Sequence, residues 1–191
     1  MSTAYDATIE SVALRAIEIM ENGAYEDFEE IVHPNWVNHE AKDEPPESRQ
    51  AYGPAAAYAT ALWLRDAFAD LHWEIHEVVA ERDLVVVHGT MSGRHAGTFV
   101  EYDAEGRPSQ AFPATGKTFA TTQTHWQRIR DGKAIEHWAN RDDLGMALQC
   151  GWVPPTPLYL LRMARAKRAA VRAHRQAEAV TPVAAARRAT A

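Results

Sequence analysis

Polar and aromatic side chains are concentrated between Thr121 and Asp143, on either side of an Asp131-Gly132 dipeptide. If this dipeptide forms a type I′ turn, the flanking strands pair His125 with Trp138. Because side chains alternate along a strand, one face of the hairpin would then present hydrogen-bonding groups, among them an imidazole and a carboxylate that can exchange protons. The members of this face are Gln123, His125, Trp138, Asn140 and Asp142. The other face would present Trp126, Ile135, His137 and Ala139.

The polar face of this hairpin has two interpretations. Polar residues at every second position are typical of a solvent-exposed sheet face. A large indole beside amides and a carboxylate is instead typical of a ligand pocket on the concave side of a curved sheet. In a regular register His125 and Asp142 lie about 13 Å apart along the strand, so they would bracket a substrate several rings wide. A bulge would reverse the assignment of faces.

The elements that position this hairpin begin with helices. Apolar residues recur at helical spacing between residues 9 and 20 and stop at Asn22-Gly23, which predicts an amphipathic first helix. A short helix is predicted at Tyr25–Ile31, before "HPNWVNHE" and a polar loop that ends at Gly53-Pro54. A further helix is predicted from there to about Phe68.

After this helix the hydrophobic period changes to two. The stretch "LHWEIH" predicts a first strand and "DLVVVHGTMSG" a second strand. Residues 94–116 are rich in Gly and Pro and are predicted to form a long connection, after which residues 118–129 and 134–140 form the final hairpin. Helices therefore precede strands, which predicts an α+β fold whose antiparallel sheet wraps around the long helix.

Length and composition predict a single compact domain. The 191 residues, 46% of them hydrophobic, are enough for one ordinary core. The single cysteine, Cys150, excludes an internal disulfide framework and fits a reducing compartment. No apolar run approaches the roughly 18 residues of a membrane span, and acidic residues stand where a signal peptide would be basic. We therefore expect a soluble, cytoplasmic protein with no membrane partner.

Charge is distributed unevenly along the chain. Residues 158–191 carry eight Lys and Arg and one acid, whereas residues 1–157 carry 12 basic and 25 acidic residues. The basic segment could be an arm for nucleic acid or an acidic partner. It could also be a C-terminal extension, partly helical or disordered, that touches the acidic body of its own oligomer. We predict a domain of residues 1–157 and an extension of residues 158–191. Because the acidic body would repel phosphate, we predict no nucleic-acid partner.

Other polar residues suggest no second site. His72, Glu74 and His76 could be drawn as a metal-binding trio, but alternate strand residues are about 7 Å apart and suit a solvated outer face better. His95 is predicted to be a turn residue. The chain has no phosphate loop, dinucleotide glycine fingerprint or Gly-x-Ser-x-Gly elbow. We predict neither a metal nor an organic cofactor.

Three segments carry a resemblance to a known family. They are "HPNWVNHEA", "AFADLHWEIHEVVAERDLVVVHGTMSGRHAGTF" and "TGKTFATTQTHWQRIRDGKAIEHWANRDDLGMALQCGW". With the closing pattern D-x-L-G-x-x-x-Q-x-G, they make residues 9–155 similar to the SnoaL-like polyketide cyclases, also called ester cyclases. The resemblance implies the cone-shaped fold of nuclear transport factor 2, in which a curved antiparallel or mixed sheet wraps around a long helix.

The resemblance also implies an activity and its residues. Family members close a ring in a polyketide ester by an intramolecular aldol reaction, without a metal or organic cofactor. In these members an aspartate at the end of the last strand acts as acid and base. The adjacent strand carries a histidine and, two residues before that histidine, a glutamine. These residues correspond to Asp142, His125 and Gln123, whereas Asp143 would point the other way in a regular strand.

A hydrophobic or aromatic substrate would be bound by further residues. The implied lining residues are Asn38, His39, Trp63, Phe68, His88, Trp138 and Asn140. Asn38 and His39 could instead hydrogen-bond a loop, and Trp63 and Phe68 could instead belong to the core. His88 stands where many relatives carry Arg, and the insertion "EYDAEGRPSQAFP" lengthens the connection over the cone, which could alter substrate choice.

The residue types suit aldol chemistry. A base must remove a proton beside a carbonyl, for which Asp142 would need a pKa raised by burial. His125 or Gln123 could donate a hydrogen bond to the enolate oxygen, worth typically a few kcal/mol. Two alternatives stay open: another reaction in the same pocket, such as epoxide or ester hydrolysis or cofactor-independent oxygenation, and non-catalytic binding of a small molecule. Because relatives pair through the outer sheet face, we expect a homodimer or a larger symmetric oligomer.

Overall fold

A computed structural model describes the backbone of residues 3–189 and the side chains of residues 9–179. Its helices are α1 (Thr3–Asn22), α2 (Tyr25–Ile31), α3 (Pro46–Gln50), α4 (Gly53–Ala67), α5 (Asp143–Cys150) and α6 (Pro157–Ala189). Its strands are β1 (Val32–Asn38), β2 (Phe68–Glu81), β3 (Leu84–His95), β4 (Phe99–Tyr102), β5 (Pro108–Phe112), β6 (Thr118–Arg130) and β7 (Lys133–Arg141).

The helices of the first half form where the apolar spacing predicts them. In α1 the residues Ile9, Ala13 and Ile17 are buried against the sheet side of the molecule. The helix ends at Asn22, and the next residue must be a glycine because a Cβ on Gly23 would stand 2.7 Å from the Cβ of Ile19. The predicted bounds of α2 and the end of α4 are confirmed within one residue.

The main sheet has five strands in the order β1-β7-β6-β3-β2. β1 runs parallel to β7, and the other neighbouring strands are antiparallel, so the sheet is mixed and curves around the helices. Sequence patterns missed β1, whose run "VHPNWVN" lacks clean alternation and contains a proline tolerated on an edge strand. The predicted long connection contains a separate two-stranded ribbon of β4 and β5.

The final hairpin has the predicted turn but not the predicted register. Asp131 and Gly132 both have positive φ, as a type I′ turn requires, and Arg130 faces Lys133. Ile129 then faces Ala134 while the next pair is Arg128 with Glu136, so Ile135 is an extra residue in β7. This bulge reverses the side-chain parity of β7 beyond it. The predicted set of faces is therefore wrong for β7.

Beyond the bulge, each residue of β7 lies on the face of the sheet opposite to the predicted one. His125 faces Ala139 across the ladder, and Trp126 faces Trp138. The inner face therefore carries Gln123 and His125 together with residues 137, 139 and 141 of β7. Trp138 lies on the outer face, where its ring stacks on that of Trp126 with centroids 6.4 Å apart.

The apolar core also contains a histidine. His95, at the end of β3, is fully buried and is not the turn residue that the sequence predicts. Its ring packs on Phe68 and Trp152, and the Trp152 indole N–H donates to its Nδ1 over 3.2 Å. Burial lowers the pKa of this histidine. Cys150 is fully buried beside this region, and burial raises the pKa of its thiol to about 11.

The basic C-terminal segment begins as part of the fold. In α6 the Tyr159 side chain is buried, and its hydroxyl donates to the carbonyl of Pro113 over 3.1 Å. The Arg162 guanidinium donates to the carbonyl of Ala114 over 2.8 Å. Across the described residues, none of the helices combines the length and the apolar character needed to cross a bilayer.

Candidate active site

A cavity of ≈ 150 Å³ lies between the inner face of the sheet and the helices α1 and α4. Most of its wall is apolar. The large apolar lining residues are Phe28, Trp36, Trp63, Phe68, Trp73 and Phe99. An apolar pocket with a few convergent polar groups is the usual form of a small-molecule site.

Seven of the polar side chains form one continuous row that starts on β2 and β6. The Trp73 indole N–H donates to Oε1 of Gln123 over 3.3 Å. The same oxygen lies 2.9 Å from Nε2 of His125, two residues along β6. On its other side the His125 ring places Nδ1 3.0 Å from Nε2 of His137 on β7. The bulge in β7 is what brings these two imidazoles together.

The row continues from β7 to β1 and α4. Nδ1 of His137 lies 3.0 Å from Oδ1 of Asn38, and the Asn38 amide donates to Glu44 over 2.9 Å. The hydroxyl of Thr60 contacts the second oxygen of Glu44 at 2.5 Å. Glu44 and Thr60 are both buried. Seven side chains thus connect the sheet to the long helix without a break.

Burial shifts the pKa values of the ionisable groups in this row. Burial, and then the positive charge of Arg141, lower the pKa of His125 to about 4. The pKa of His137 is lowered well below its ordinary value, again by burial first and then by the charges of His125 and Arg141. Burial raises the pKa of Glu44, opposed mainly by the hydrogen bond from Thr60. Each charge alone is therefore disfavoured in this cavity.

Asp142 lies beside the cavity and not on its wall. It is the N-cap of α5, and its Oδ1 accepts the backbone N–H of Gly145 over 2.8 Å. Its side chain is exposed, whereas Arg141 and Asp143 on either side both line the cavity. Asp143 lies 3.4 Å from Nε of Arg141. The strand ends at Arg141, so the alternation that assigned Asp142 inward and Asp143 outward no longer applies.

Several residues expected around a substrate do line the cavity. They are Asn38, Trp63, Phe68, Gln123 and His125. Trp63 is held in place because its indole N–H donates to the carbonyl of Val100 over 2.8 Å. Phe68 is both a core residue and part of the cavity wall, so the two interpretations of its position hold together.

Four other expected lining residues lie outside the cavity, which corrects their predicted positions. His39 follows Asn38 on the opposite face, where its Nε2 lies 3.2 Å from Glu136. His88 lies on the outer face of β3, 3.0 Å from the hydroxyl of Thr124. Trp138 and Asn140 lie on the outer face of β7. For these last two the β7 bulge is the physical cause.

Sequence reasoning missed several polar residues of the cavity, and four of them matter most for its chemistry. They are Glu44, Thr60, His137 and Arg141. His137 and Arg141 were missed because the regular hairpin register places them on the outer face. Glu44 belongs to the polar stretch "AKDEPPESRQ", in which a buried carboxylate has no distinguishing pattern. Only knowledge of the bulge at Ile135 would have placed the two β7 residues on the inner face.

Comparison with known proteins gives consistent matches. A family model described as SnoaL-like polyketide cyclase matches residues 10–150. The chain is 34% identical over 144 residues to the aklanonic acid methyl ester cyclase DnrD of Streptomyces peucetius, covering 75% of this chain and 90% of that protein. It is 27% identical over 137 residues to the nogalonic acid methyl ester cyclase of Streptomyces nogalater, covering 71% of this chain and 91% of that protein. The solved structure of TsrD from Streptomyces laurentii has a TM-score of 0.60 at 22% identity, covering 76% of this chain and 96% of TsrD, which supports the fold.

Proposed function

The chain belongs to the SnoaL-like polyketide cyclase family, and we propose on this basis that it closes a ring in a polyketide ester by an intramolecular aldol reaction. The observation that carries the proposal is the Gln123–His125 pair, which faces a cavity whose wall is mostly apolar. Two matched relatives are named as cyclases of polyketide methyl esters. We propose the same substrate class, a hydrophobic aromatic polyketide ester, for this chain.

The reaction needs only proton transfers and one new carbon–carbon bond. A base removes a proton from the carbon between two carbonyl groups, and the enolate formed attacks a ketone carbon of the same molecule. The ketone oxygen takes up a proton, so that substrate and product have the same mass. Because such protons are already acidic, acid/base catalysis by side chains suffices, with neither a metal nor an organic cofactor.

His125 and Gln123 would stabilise the enolate. Nε2 of His125 lies 2.9 Å from Oε1 of Gln123, and a substrate oxygen that displaces this amide oxygen would accept a hydrogen bond from a protonated Nε2. In a cavity that excludes water, one such donor is worth roughly 3 kcal/mol in the transition state. Asn38, Trp63 and Phe68 would contact the remainder of the substrate.

Asp142 is the proposed base by its correspondence to the family's aspartate, although its side chain is exposed, and not buried as expected from the sequence. Its Oδ1 is held by the N–H of Gly145, and its Oδ2 has no hydrogen-bond partner among the described residues. A substrate that protrudes from the cavity past Arg141 would meet this free oxygen. The neighbouring Asp143 provides a matched control, since it lines the cavity and differs in position by one residue.

Activity is tested with the two methyl esters for which the relatives are named. Incubation with aklanonic or nogalonic acid methyl ester should give a ring-closed isomer of unchanged mass. A product that contains oxygen from ¹⁸O-labelled water would indicate hydrolysis, and a product formed only under dioxygen would indicate oxygenation. Saturable binding without any product would indicate a binding module.

The base is tested by comparing Asp142→Asn with Asp143→Asn. Removing a general base typically costs 10²- to 10⁴-fold in rate, so Asp142→Asn should reduce kcat by at least about 100-fold. Asp143→Asn should stay within a few-fold of wild type. The reverse pattern would transfer the role to Asp143, and two active variants would exclude a carboxylate base at the end of β7.

The assembly and location proposed here follow from the outer face of the sheet and from Cys150. Trp126 and Trp138 stack there, and Val79 is exposed on the same face of β2. We propose that this face pairs two copies into a homodimer, which a monomeric mass by light scattering at micromolar concentration would contradict.

We also propose a cytoplasmic location, in which Cys150 stays reduced; cell fractionation tests it.

A further inference from the structure

The two ends of the buried polar row determine where its protons lie. At one end, Oδ1 of Asn38 accepts the backbone N–H of Glu40 over 3.1 Å, and a backbone amide can only donate. Oδ1 is therefore the acceptor toward His137, so Nδ1 of His137 carries a hydrogen. The Asn38 amide group correspondingly points its hydrogens at Glu44.

The other end is determined in the same way. Oε1 of Gln123 accepts the indole N–H of Trp73, which can only donate. The Gln123 amide nitrogen lies 3.0 Å from the sulfur of Met91, consistent with this orientation. Nε2 of His125 must therefore carry a hydrogen in order to bond to Oε1.

The contact between the two rings then requires a third hydrogen. Nδ1 of His125 and Nε2 of His137 are 3.0 Å apart, and two bare nitrogens at that distance would repel each other. One of them must carry a hydrogen, in addition to those on the two outer nitrogens. We propose that His125 and His137 share one extra proton, and that buried Glu44, linked to them through Asn38, is the carboxylate that balances this charge and positions it.

The proton has a second place in the same network. The Thr60 hydroxyl also lies 3.3 Å from the carbonyl of Ala56, so it can donate there and accept from Glu44. In that state Glu44 is protonated and both rings are neutral. Two neutral rings have only two N–H groups, so either the inter-ring hydrogen bond or the one from His137 to Asn38 is lost. The net charge of Glu44 and the two rings is zero in both states, because the proton only changes position.

Burial opposes the charge-separated state, and the hydrogen bonds favour it. The low pKa values of both rings and the raised pKa of Glu44 describe each charge taken singly. Here the charges form as a pair across one amide, and each is hydrogen-bonded at both ends. Because the donors at both ends of the row cannot reverse, we assign the charge-separated state to the empty cavity.

Other charged groups face this network from the surrounding elements. The positive charge of Arg141 acts on both rings and on Glu44, and His39 acts on His137. The acidic residues that line the same cavity are Glu40, Asp43 and Asp143.

This inference deepens the proposed function and rests on it for its catalytic consequence. A protonated pair makes the Nε2–H of His125 a charge-assisted donor, which stabilises an enolate more strongly than a neutral imidazole does. Glu44 is too far along the row to touch the substrate oxygen held by His125, so it acts as a positioning residue. Its effect is on the charge of His125.

The first test counts the protons of the pair without any substrate. In wild-type protein labelled with ¹⁵N-histidine, NMR at neutral pH should show two rings coupled through an N–H···N hydrogen bond, with their two outer nitrogens also protonated. Coupled rings with only two protons between them, or no coupling at all, would overturn the proposal. This readout does not depend on turnover, so an inactive protein whose two rings carry three protons in total would reject the proposed function alone.

The second test removes the carboxylate. Glu44→Gln keeps the shape but not the charge, so the pair should lose its extra proton. With substrate, kcat should fall about 100-fold while KM changes little. Glu101→Gln is the matched control, because burial also raises the pKa of Glu101 but its hydrogen bond goes to Gln110 on β5. If Glu44→Gln keeps three protons on the pair, Glu44 is not the balancing group.

A milder variant covers the case in which Glu44→Gln does not fold. Thr60→Val removes the hydroxyl next to Glu44 and keeps the volume. Without that donor the carboxylate is less stable, so the proton should move toward Glu44 and the ¹⁵N signals of the pair should shift toward neutral imidazole. Unchanged ring signals in Thr60→Val would contradict the link between Glu44 and the rings.

Discussion

At the residue scale, two buried imidazoles make the cavity sensitive to acid. His125 and His137 lie side by side on the inner face with ring centroids 5.3 Å apart. Burial holds the pKa of His125 at about 4 and that of His137 below its ordinary value. The pair therefore resists further protonation in the folded protein, whereas the same residues in the unfolded chain titrate near pH 6.5.

This difference predicts a loss of stability in mild acid. Between about pH 6.5 and pH 4 the unfolded chain binds more protons than the folded one, so the free energy of unfolding falls as the pH falls. Because the pair binds one extra proton in the folded protein and two in the unfolded chain, it should account for about 3 kcal/mol across this window. Urea unfolding at a series of pH values measures the slope.

Matched variants separate the buried pair from other histidines. His125→Asn should flatten the slope between pH 6.5 and pH 4. His72→Gln, which changes an exposed histidine on β2, should leave the slope as it is in wild type. A slope that does not respond to His125→Asn would mean that other groups control the acid sensitivity.

At the element scale, one extra residue in β7 and one glycine in α5 shape the site. The bulge at Ile135 puts His137 on the inner face and Trp138 on the outer face. At the start of α5, the carboxylate of Asp142 lies directly over Gly145, where a Cβ would stand 2.1 Å from Oδ2. The cap of this helix and the position of the proposed base therefore depend on the absence of a side chain at residue 145.

Gly145→Ala should consequently displace the Asp142 side chain. Loss of the N-cap costs about 1 kcal/mol, less the gain in helix propensity from alanine, and turnover should fall toward that of Asp142→Asn. Thermal unfolding and kcat measure the two effects. Leu148→Ala, at an exposed position of the same helix, is the control and should leave turnover intact. Full activity in Gly145→Ala would show that the precise position of Asp142 is unimportant.

At the scale of the whole molecule, the first turns of the basic helix α6 belong to the fold, whereas the last of its side chains that the structure describes are exposed. Its first turns contribute buried Tyr159 and the hydrogen bonds of Tyr159 and Arg162 to the segment after β5. Met163 also packs against the core. Residues 175–179 are all exposed.

Two truncations should therefore behave differently. Removal of residues 157–191 uncovers the site of Tyr159, whose burial is worth roughly 2 to 3 kcal/mol, and should lower the free energy of unfolding by at least that amount. Removal of residues 176–191 should change it by less than about 0.5 kcal/mol. Urea unfolding of both forms makes the comparison. Equal losses would mean that the distal part of the helix also stabilises the body.

Much of the fold was predictable because it depends on local patterns. The apolar stripe of α1, the alternation in β2 and β3 and the Asp131-Gly132 turn each appear in a short window of sequence. Alternation on β6 also put Gln123 and His125 on one face, and the family resemblance implied that this face lines the pocket. β1, β4 and β5 were not predicted, because short strands at edges or in ribbons carry too few residues to show a period.

The sequence by itself determined the class of the protein: an α+β cone, its family, and the two β6 residues that face the cavity. Only the tertiary structure decided which other residues meet them. Parity along β7 depends on a single inserted residue, and the link from Glu44 through Asn38 to His137 joins the segment after β1 to β7. Such contacts join residues far apart in the chain, so no local pattern records them. The protons of the cavity follow from those contacts, which is why its electrostatics became readable only in three dimensions.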